Sequence, residues 1–524
     1  MKADSPSSRR EFLLQGSAYL TATGGARRTL AQQGRSIREG RNVLLVLVPD
    51  LRTQLGCFGS AKAKTPHIDR LADTGLTFLR NYCQQAASGP SRTSLLTGLR
   101  PDTTRVYDDR VHFRRALPNA VTLPEHFRSL GYTTTAFGPV FGIPALEDPR
   151  SWTVVPWVPG GPAWGSSEGS DLADSNWRRL VANAWIGDTP SSESPSQASP
   201  AALGGSPRSW EAASVADADL PDGKIARAAA TAVGEFKDQR FLIAVSFARP
   251  YFPLVAPSGY FDLYPIGTWG GPESPEPPLD VPAFALHDSR GIRGFDDIPS
   301  EGPIPESKAK ELIRAYRACV SFTDAQIGVL LDALDRHGLS KSTVVAVVGV
   351  SGSHLGEHGL WNKHSNFDAA THTPLVVRAP GEKNAGRKTE ALVELVDLFP
   401  SVCSLCRVPR PAGLEGSSWR GLFDDPQRLW KRAVYSQHPR TIPGVGPGMG
   451  HSMRTDRHRY TQWSGIDSPY STLELYDYKE APVESRNIAN RPEYASLVNG
   501  LSHMLREGWQ GSLPPTELPN ASRA

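Results

Sequence analysis

Four histidines, His354, His358, His364 and His372, fall within nineteen residues, a density that could bring several imidazoles onto one transition-metal ion. The plainer reading makes them structural members of the framework, and both uses stay open at this point. Cys403 and Cys406 form a C-x-x-C pair, whose chemistry would be zinc binding or thiol exchange, yet no second pair or nearby histidine completes a tetrahedral set. They follow an apolar-periodic run at 391–399, so packing in a helix core is the expected use of both thiols. With Cys57, Cys83 and Cys319 the count is five. An odd number scattered over a long chain argues against a disulfide framework.

Apolar runs must hold any such side chains in place. Residues 42–48 read NVLLVLV, short and almost continuously apolar, as a strand buried on both faces of a parallel sheet requires. Pro49 and Asp50 end it. Residues 133–137, 241–247, 343–350 and 374–378 have the same character, separated by helical or loop-rich sequence. Helices are predicted over 66–74, 91–97, 122–130, 224–237 and 307–336, the last with a clear helical apolar period. This alternation implies an α/β sandwich. Beyond 411 the pattern changes to polar-alternating strands at 433–437, 451–463 and 473–478 and a helix over 492–508, which fits a small antiparallel sheet with a helix over it.

A chain of 524 residues exceeds what one core usually serves. The expected division is a leader over 1–40, a catalytic-like α/β domain over 41–410, a C-terminal α+β subdomain over 411–512 and a tail over 513–524. The 57 basic and 54 acidic residues leave a net charge of +3, too balanced to point to nucleic acid or an anionic membrane as partner. After the leader no apolar run reaches about 18 residues, so no membrane span is expected. The leader reads Ser8 Arg9 Arg10 Glu11 Phe12 Leu13 Leu14, which resembles a twin-arginine export signal and would place the mature protein in a bacterial periplasm. A disordered basic leader is the alternative, because Gln15 interrupts the apolar stretch and Arg27 and Arg28 follow it. The Ser/Pro/Ala-rich segment 190–209 and the PESPEPP of 272–278 cannot bury enough to fold alone and are expected as surface insertions.

The stretch QQAASGPSRTSLLTG at 84–98 resembles the sulfatase signature, whose core is Cys or Ser, any residue, Pro, any residue, Arg. LVPDLRTQLGCFG at 47–59, LGEHGLWNKHSNFDAATHTPL at 355–375 and LVELVDLFPS at 392–401 resemble further blocks of the same family in the same order. The chain is therefore similar, from about 41 to 509, to iduronate-2-sulfatase-type sulfatases of the alkaline-phosphatase-like superfamily. The resemblance implies a mixed, mostly parallel sheet between helices, completed by the smaller C-terminal subdomain. It also implies that the residue at Ser88 is the precursor of formylglycine, whose hydrated aldehyde attacks sulfur while calcium polarises the sulfate. Calcium requires roughly six to eight oxygen ligands, basic residues neutralise the sulfate, and a histidine protonates the leaving alcohol.

Against that pattern this sequence departs at most positions. Pro49 and Asp50 stand where the family has two adjacent Asp. Val350 and Ser351 stand where it has Asp and His. Pro139 and Gly142 replace a lysine and a histidine that contact sulfate, and Ala248 replaces another histidine. What the resemblance leaves is Ser88, Arg92 and Lys363 as catalytic candidates, Arg249 as a substrate contact and Asp50 as a vestigial metal ligand. Each has a plainer reading: Ser88 as a helix N-cap, Arg92 as a tie for the Ser88 loop, Lys363 as a solvated lysine, Asp50 as a polar strand end. The expectation is a catalytically degenerate sulfatase-family protein, poor in calcium, with a residual cleft for a sulfated or otherwise anionic carbohydrate. The runner-up is an active sulfuric ester hydrolase drawing ligands from Asp108, Asp109 or Asp368. The third is a non-catalytic scaffold for an active sulfatase, which an exposed apolar patch would favour.

Overall fold

The structure is a computed structural model that describes residues 40–143, 146–159, 208–268, 270–515 and 517. All but the last residue of the expected leader, and all but the last two residues of the 190–209 insertion, lie outside the described residues. The 272–278 insertion is largely exposed.

Seven strands form one sheet: β1 (Asn42–Val48), β2 (Leu76–Tyr82), β3 (Thr133–Phe137), β4 (Phe241–Ser246), β5 (Thr343–Gly349), β6 (His372–Arg378) and β7 (Arg387–Glu394), in the order β7-β2-β6-β5-β1-β4-β3. β1 is parallel to both neighbours, with Val46 opposite Val245 on one side and Val347 on the other. β6 alone runs against its neighbours. The run NVLLVLV is apolar throughout because both faces are covered. Leu44, Val46 and Val48 join one core with α1 (Pro66–Asp73), α4 (Pro221–Glu235) and α5 (Glu306–Arg336). Val43, Leu45 and Leu47 join the other with α2 (Ser88–Thr97), α3 (Leu123–Ser129) and α6 (Leu398–Leu405). The alternation is the two-residue period of a strand seen from both sides.

Two expected segments resolve differently. Residues 391–399 are not one helical run: they end β7 and begin α6, whose helix packs Cys403 and Cys406 in the second core. All five thiols are free and buried, and burial pushes the Cys83 and Cys403 thiols up to about 12. Residues 451–463 are two strands rather than one, because the chain turns at Asp456 and Arg457. The small sheet is β8 (Ala433–Ile442), β9 (Gly446–Thr455), β10 (His458–Gly465) and β11 (Ser471–Asp477), antiparallel in that order. α7 (Ala495–Glu507) covers one face through Val498 and Leu501 against Met453, Tyr460 and Leu475. Among the described residues no helix is long and apolar enough to cross a membrane.

Two buried charge networks dock the small sheet on the large domain. Lys431 Nζ donates to Glu394 Oε2 at 2.7 Å and Asp397 Oδ1 at 2.6 Å, and Arg100 grips Glu394 with both Nη atoms at 2.8 and 2.7 Å. Burial alone would raise the Glu394 carboxyl, yet Arg100 and Lys431 together bring it down to about 2. In the second network Arg459 bridges Asp368 and Glu484 at 2.8 and 2.9 Å. A string of imidazoles also runs along this junction. His438 of β8, His364, His287, His354 and His358 follow one another with ring centroids 5.8, 6.4, 6.1 and 6.0 Å apart.

Removing one member of a buried ion network leaves an uncompensated charge, typically worth 3–5 kcal/mol. Lys431→Met is therefore expected to lower unfolding stability by about 3–5 kcal/mol, read by urea titration. The histidine string sets a pH limit. Burial, followed by the neighbouring positive groups, holds His287 and His354 well below the ordinary imidazole value of 6.5. The unfolded chain then binds protons that the folded one does not, so stability is complete above pH 6.5 and falls as pH drops below it. Melting temperature should decline between about pH 6.5 and 5, before most carboxylates titrate, and His354→Gln should flatten that decline.

Candidate active site

β1, β3, β4 and β5 all end at the same edge of the sheet, and the loops leaving them face one another there, as in other open α/β sheets. α2 begins at this edge. Ala87, in extended conformation, is the N-cap, and Ser88 is the first residue of the helix, so the N-cap reading of Ser88 shifts by one position. Gly89 is required: a Cβ there would lie 2.7 Å from Asp109 Oδ1 and 2.8 Å from the Asp108 carbonyl. The helix is pinned to the end of β5 by Ser91 Oγ, which donates to the Val350 carbonyl at 2.5 Å.

Arg92 lies one helical turn beyond Ser88 and is buried. Its Nε donates to Ser88 Oγ at 3.1 Å, and its Nη1 reaches the Pro139 carbonyl at 2.9 Å and Ser246 Oγ at 2.9 Å. One guanidinium thus ties the serine to the ends of β3 and β4. The tie expected as the plainer role of Arg92 is present, and Arg92 also lines the cleft.

Asp50 follows β1 in a left-handed conformation, φ 53°, which aspartate tolerates better than most residues. Its carbonyl accepts from Tyr316 of α5 at 2.7 Å, and its Oδ1 accepts from Ser351 Oγ at 3.1 Å and from Lys363 Nζ at 2.8 Å. Lys363 and Asp50 are each 1% exposed. Lys363 is therefore not the solvated lysine of its plainer reading; its ammonium lies 4.4 Å from the Tyr251 ring centroid and on the Asp50 carboxylate. Asn362 and His364, on either side of it, both have positive φ, 71° and 72°, and this bent backbone presents the lysine inward.

Ser88, Arg92 and Lys363 line one cleft of about 70 Å³ together with Asp109, Pro139, Gly142, Ala248 and Tyr251. Arg249 is not brought there. Its backbone N–H is held by Asp222 Oδ2 at 2.9 Å, and its guanidinium turns to the carbonyls of Val255 at 3.1 Å and Tyr251 at 3.4 Å. Gly142 has φ 109°, and a Cβ on it would stand 4.0 Å from Ser88 Oγ. This position, where the resemblance leads one to expect a histidine, lies beside both Ser88 and Arg92, whose Cδ would be 3.8 Å from that Cβ, and carries no side chain. Ala248 likewise brings a methyl group to the cleft wall.

Of the alternative acids only Asp109 reaches the cleft, where its Oδ1 accepts from the Gly89 N–H. Asp108 Oδ1 caps a turn, accepting from Arg110 and Val111 N–H at 2.8 and 3.2 Å. Asp368 is engaged by Arg459 and by His372, whose Nδ1 is 3.2 Å away. None of the four histidines first singled out lines the cleft, and among the described residues no group of three or more His, Cys, Asp and Glu is placed to hold a metal ion. The residues at the calcium position do not fit a calcium ion. Pro49 and Val350 have no side-chain oxygen, Ser351 gives one hydroxyl, and the single carboxylate already carries an ammonium. Tyr251 and Ser351 had no spacing signal in the sequence that marked them as partners of Lys363 and Asp50.

Residues 41–408 match the sulfatase family, and residues 356–510 match the C-terminal region of N-sulphoglucosamine sulphohydrolase. The chain is 31% identical to iduronate 2-sulfatase of Mus musculus over 90% of this chain and 95% of that protein. It is 32% identical to iduronate 2-sulfatase of Homo sapiens over 89% and 94%. Its fold is similar to that of the phosphonate monoester hydrolase of Agrobacterium radiobacter, with a TM-score of 0.68 at 22% identity, covering 89% of this chain and 95% of that one. With the signature at Ser88, the frame around it and these matches taken together, this chain belongs to the sulfatase family.

Proposed function

We propose that this sulfatase-family protein holds a sulfated or otherwise anionic sugar at the Ser88 cleft without hydrolysing it. The observation that carries the reading is the Lys363–Asp50 pair. A divalent cation in this family polarises a sulfate oxygen; here the charge at that edge is an ammonium already paired with Asp50, which donates hydrogen bonds but is no Lewis acid, and the cation left to attract an anion in the cleft is Arg92, held on the Pro139 carbonyl and Ser246 Oγ. The imidazoles that would move protons are absent at Gly142 and Ala248. Each missing electrostatic or acid–base group typically removes about 10²–10³ in rate, and the losses here are several, although such effects do not multiply freely. Restoring one is not simple, because a histidine at 142 would have to adopt the φ of 109° that glycine holds.

A second reading, favoured by the carboxylate of Asp109 in the cleft, is a working sulfuric ester hydrolase with Ser88 oxidised to formylglycine. Elemental mass spectrometry after calcium incubation, with a sulfate-ester hydrolysis assay on the same sample, separates the two. The expected result is far less than one calcium per chain and turnover no higher than that of Ser88→Ala. One calcium per chain, with turnover abolished in Ser88→Ala, would overturn the proposal. A companion test addresses the pair itself. Lys363→Met is expected to destabilise the fold by about 3–5 kcal/mol, and Asp50→Asn/Lys363→Met to recover most of that loss; a fully stable single variant would mean that the pair is not formed.

A further inference from the structure

A second cavity, of about 370 Å³, opens where the C-terminal sheet meets the large domain, and it shares no lining residue with the Ser88 cleft. Small-molecule pockets run from roughly 300 to 1,000 Å³. This cavity falls within that range, whereas the Ser88 cleft is several times smaller. α2 separates them: Ser88 is its first residue, Arg100 lies three residues past its last, and the helix itself is about 15 Å long.

The walls combine flat polar groups with aromatic rings. Asp102 Oδ1 accepts from Gln437 Nε2 at 2.9 Å and from Tyr107 OH at 3.1 Å, and its Oδ2 lies 3.4 Å from His451 Nε2. These contacts orient the carboxylate while filling about three of its roughly four acceptor positions. Trp509 and Tyr435 lie against Arg100, whose guanidinium carbon is 5.2 and 5.8 Å from their ring centroids. Arg100 is 7% exposed, and although its Nη atoms pair with Glu394, its buried Nε–H has no acceptor. That Nε–H is closed off from the cavity, so the groups a ligand meets on this wall are the Asp102 carboxylate, the Gln437 amide, the His451 imidazole and the aromatic rings.

The charge of this wall selects the ligand class. Glu394 cancels the charge of Arg100, Asp102 is anionic, and Arg506 stands exposed at the rim. A sulfate or carboxylate facing Asp102 would meet like charge. Sugar hydroxyls both donate and accept, matching a carboxylate, an amide and an imidazole set side by side, and the C–H face of a sugar ring packs on an aromatic plane. We infer that this cavity binds an uncharged sugar unit, of one or two rings, between Asp102, Gln437, His451 and Trp509. The inference uses none of the residues of the Ser88 cleft and stands whether or not that cleft binds sulfate.

Saturation-transfer NMR on the full chain tests it, with lactose, cellobiose, maltose and N,N′-diacetylchitobiose as uncharged probes and a sulfated chondroitin disaccharide as the charged comparator. At least one uncharged disaccharide is expected to bind, with affinity reduced tenfold or more in Asp102→Asn and in Trp509→Ala and unchanged in Ser88→Ala. Thermal melts check folding; if Trp509→Ala fails to fold, Gln462→Ala, on the more open β10 wall, replaces it. Binding of no uncharged probe, binding insensitive to Asp102→Asn and to the wall variant, or tighter binding of the sulfated disaccharide that Asp102→Asn weakens, would each overturn the inference. Loss of anion binding at Ser88 with sugar binding intact would sink the proposed function alone.

Discussion

A carboxylate and an ammonium buried together at the carboxyl edge of the sheet organise everything around them. Neither Asp50 nor Lys363 could be desolvated alone, since an isolated buried charge is far too costly, so the segments that carry them must close on each other. Asp50 brings the end of β1 and, through its carbonyl, Tyr316 of the long helix α5. Lys363 brings the loop that follows β5 and the Tyr251 ring beyond β4. The pair therefore links three segments that are distant in sequence.

Arg92 performs the companion task on the other wall. It joins the first turn of α2 to β3 and β4 through carbonyl and hydroxyl acceptors, none of which is a charge. This explains how the Ser88 corner keeps its shape beside Pro139, Gly142 and Ala248, which bring no polar side chain to the cleft. Frame and chemistry are separable here because different atoms hold the frame: backbone carbonyls, Ser246 and Ser91, rather than the groups that would face a sulfate.

The strands were legible where both faces of the sheet are covered, because a doubly buried strand such as β1 is written as one apolar run. β2 and β7 were not anticipated. LTFLRNY and RKTEALVE mix charged and apolar residues, as an outer part of a sheet allows, and neither has a simple period. The 451–463 stretch was read as one strand because the turn at Asp456 and Arg457 contains no glycine or proline to punctuate it. At the site, Ser88, Arg92, Asp50 and Lys363 stood out through the family blocks around them, and three of these line the cleft while Asp50 meets it through Lys363. Arg249 illustrates the limit of that reasoning: sequence assigns a cation to a loop but not the direction of a guanidinium that can satisfy itself on the carbonyls of its own turn.

The physical logic of the substituted positions follows from charge. Several carboxylates converging on one point repel one another unless a cation lies between them, and each would then resist ionisation. Pro49 and Val350 bring no carboxylate to this edge, and Lys363 neutralises the one that Asp50 supplies. The Asp50 charge is thus balanced by the chain itself, in contrast to a folded state that gains free energy only as an ion binds. With Lys363 Nζ and Ser351 Oγ both donating to Asp50 Oδ1, that oxygen is engaged within the chain. The cation that lines the cleft beside this balanced pair is Arg92, whose guanidinium rests on the Pro139 carbonyl and Ser246 Oγ, so an anion entering the cleft would meet that group rather than the paired ammonium.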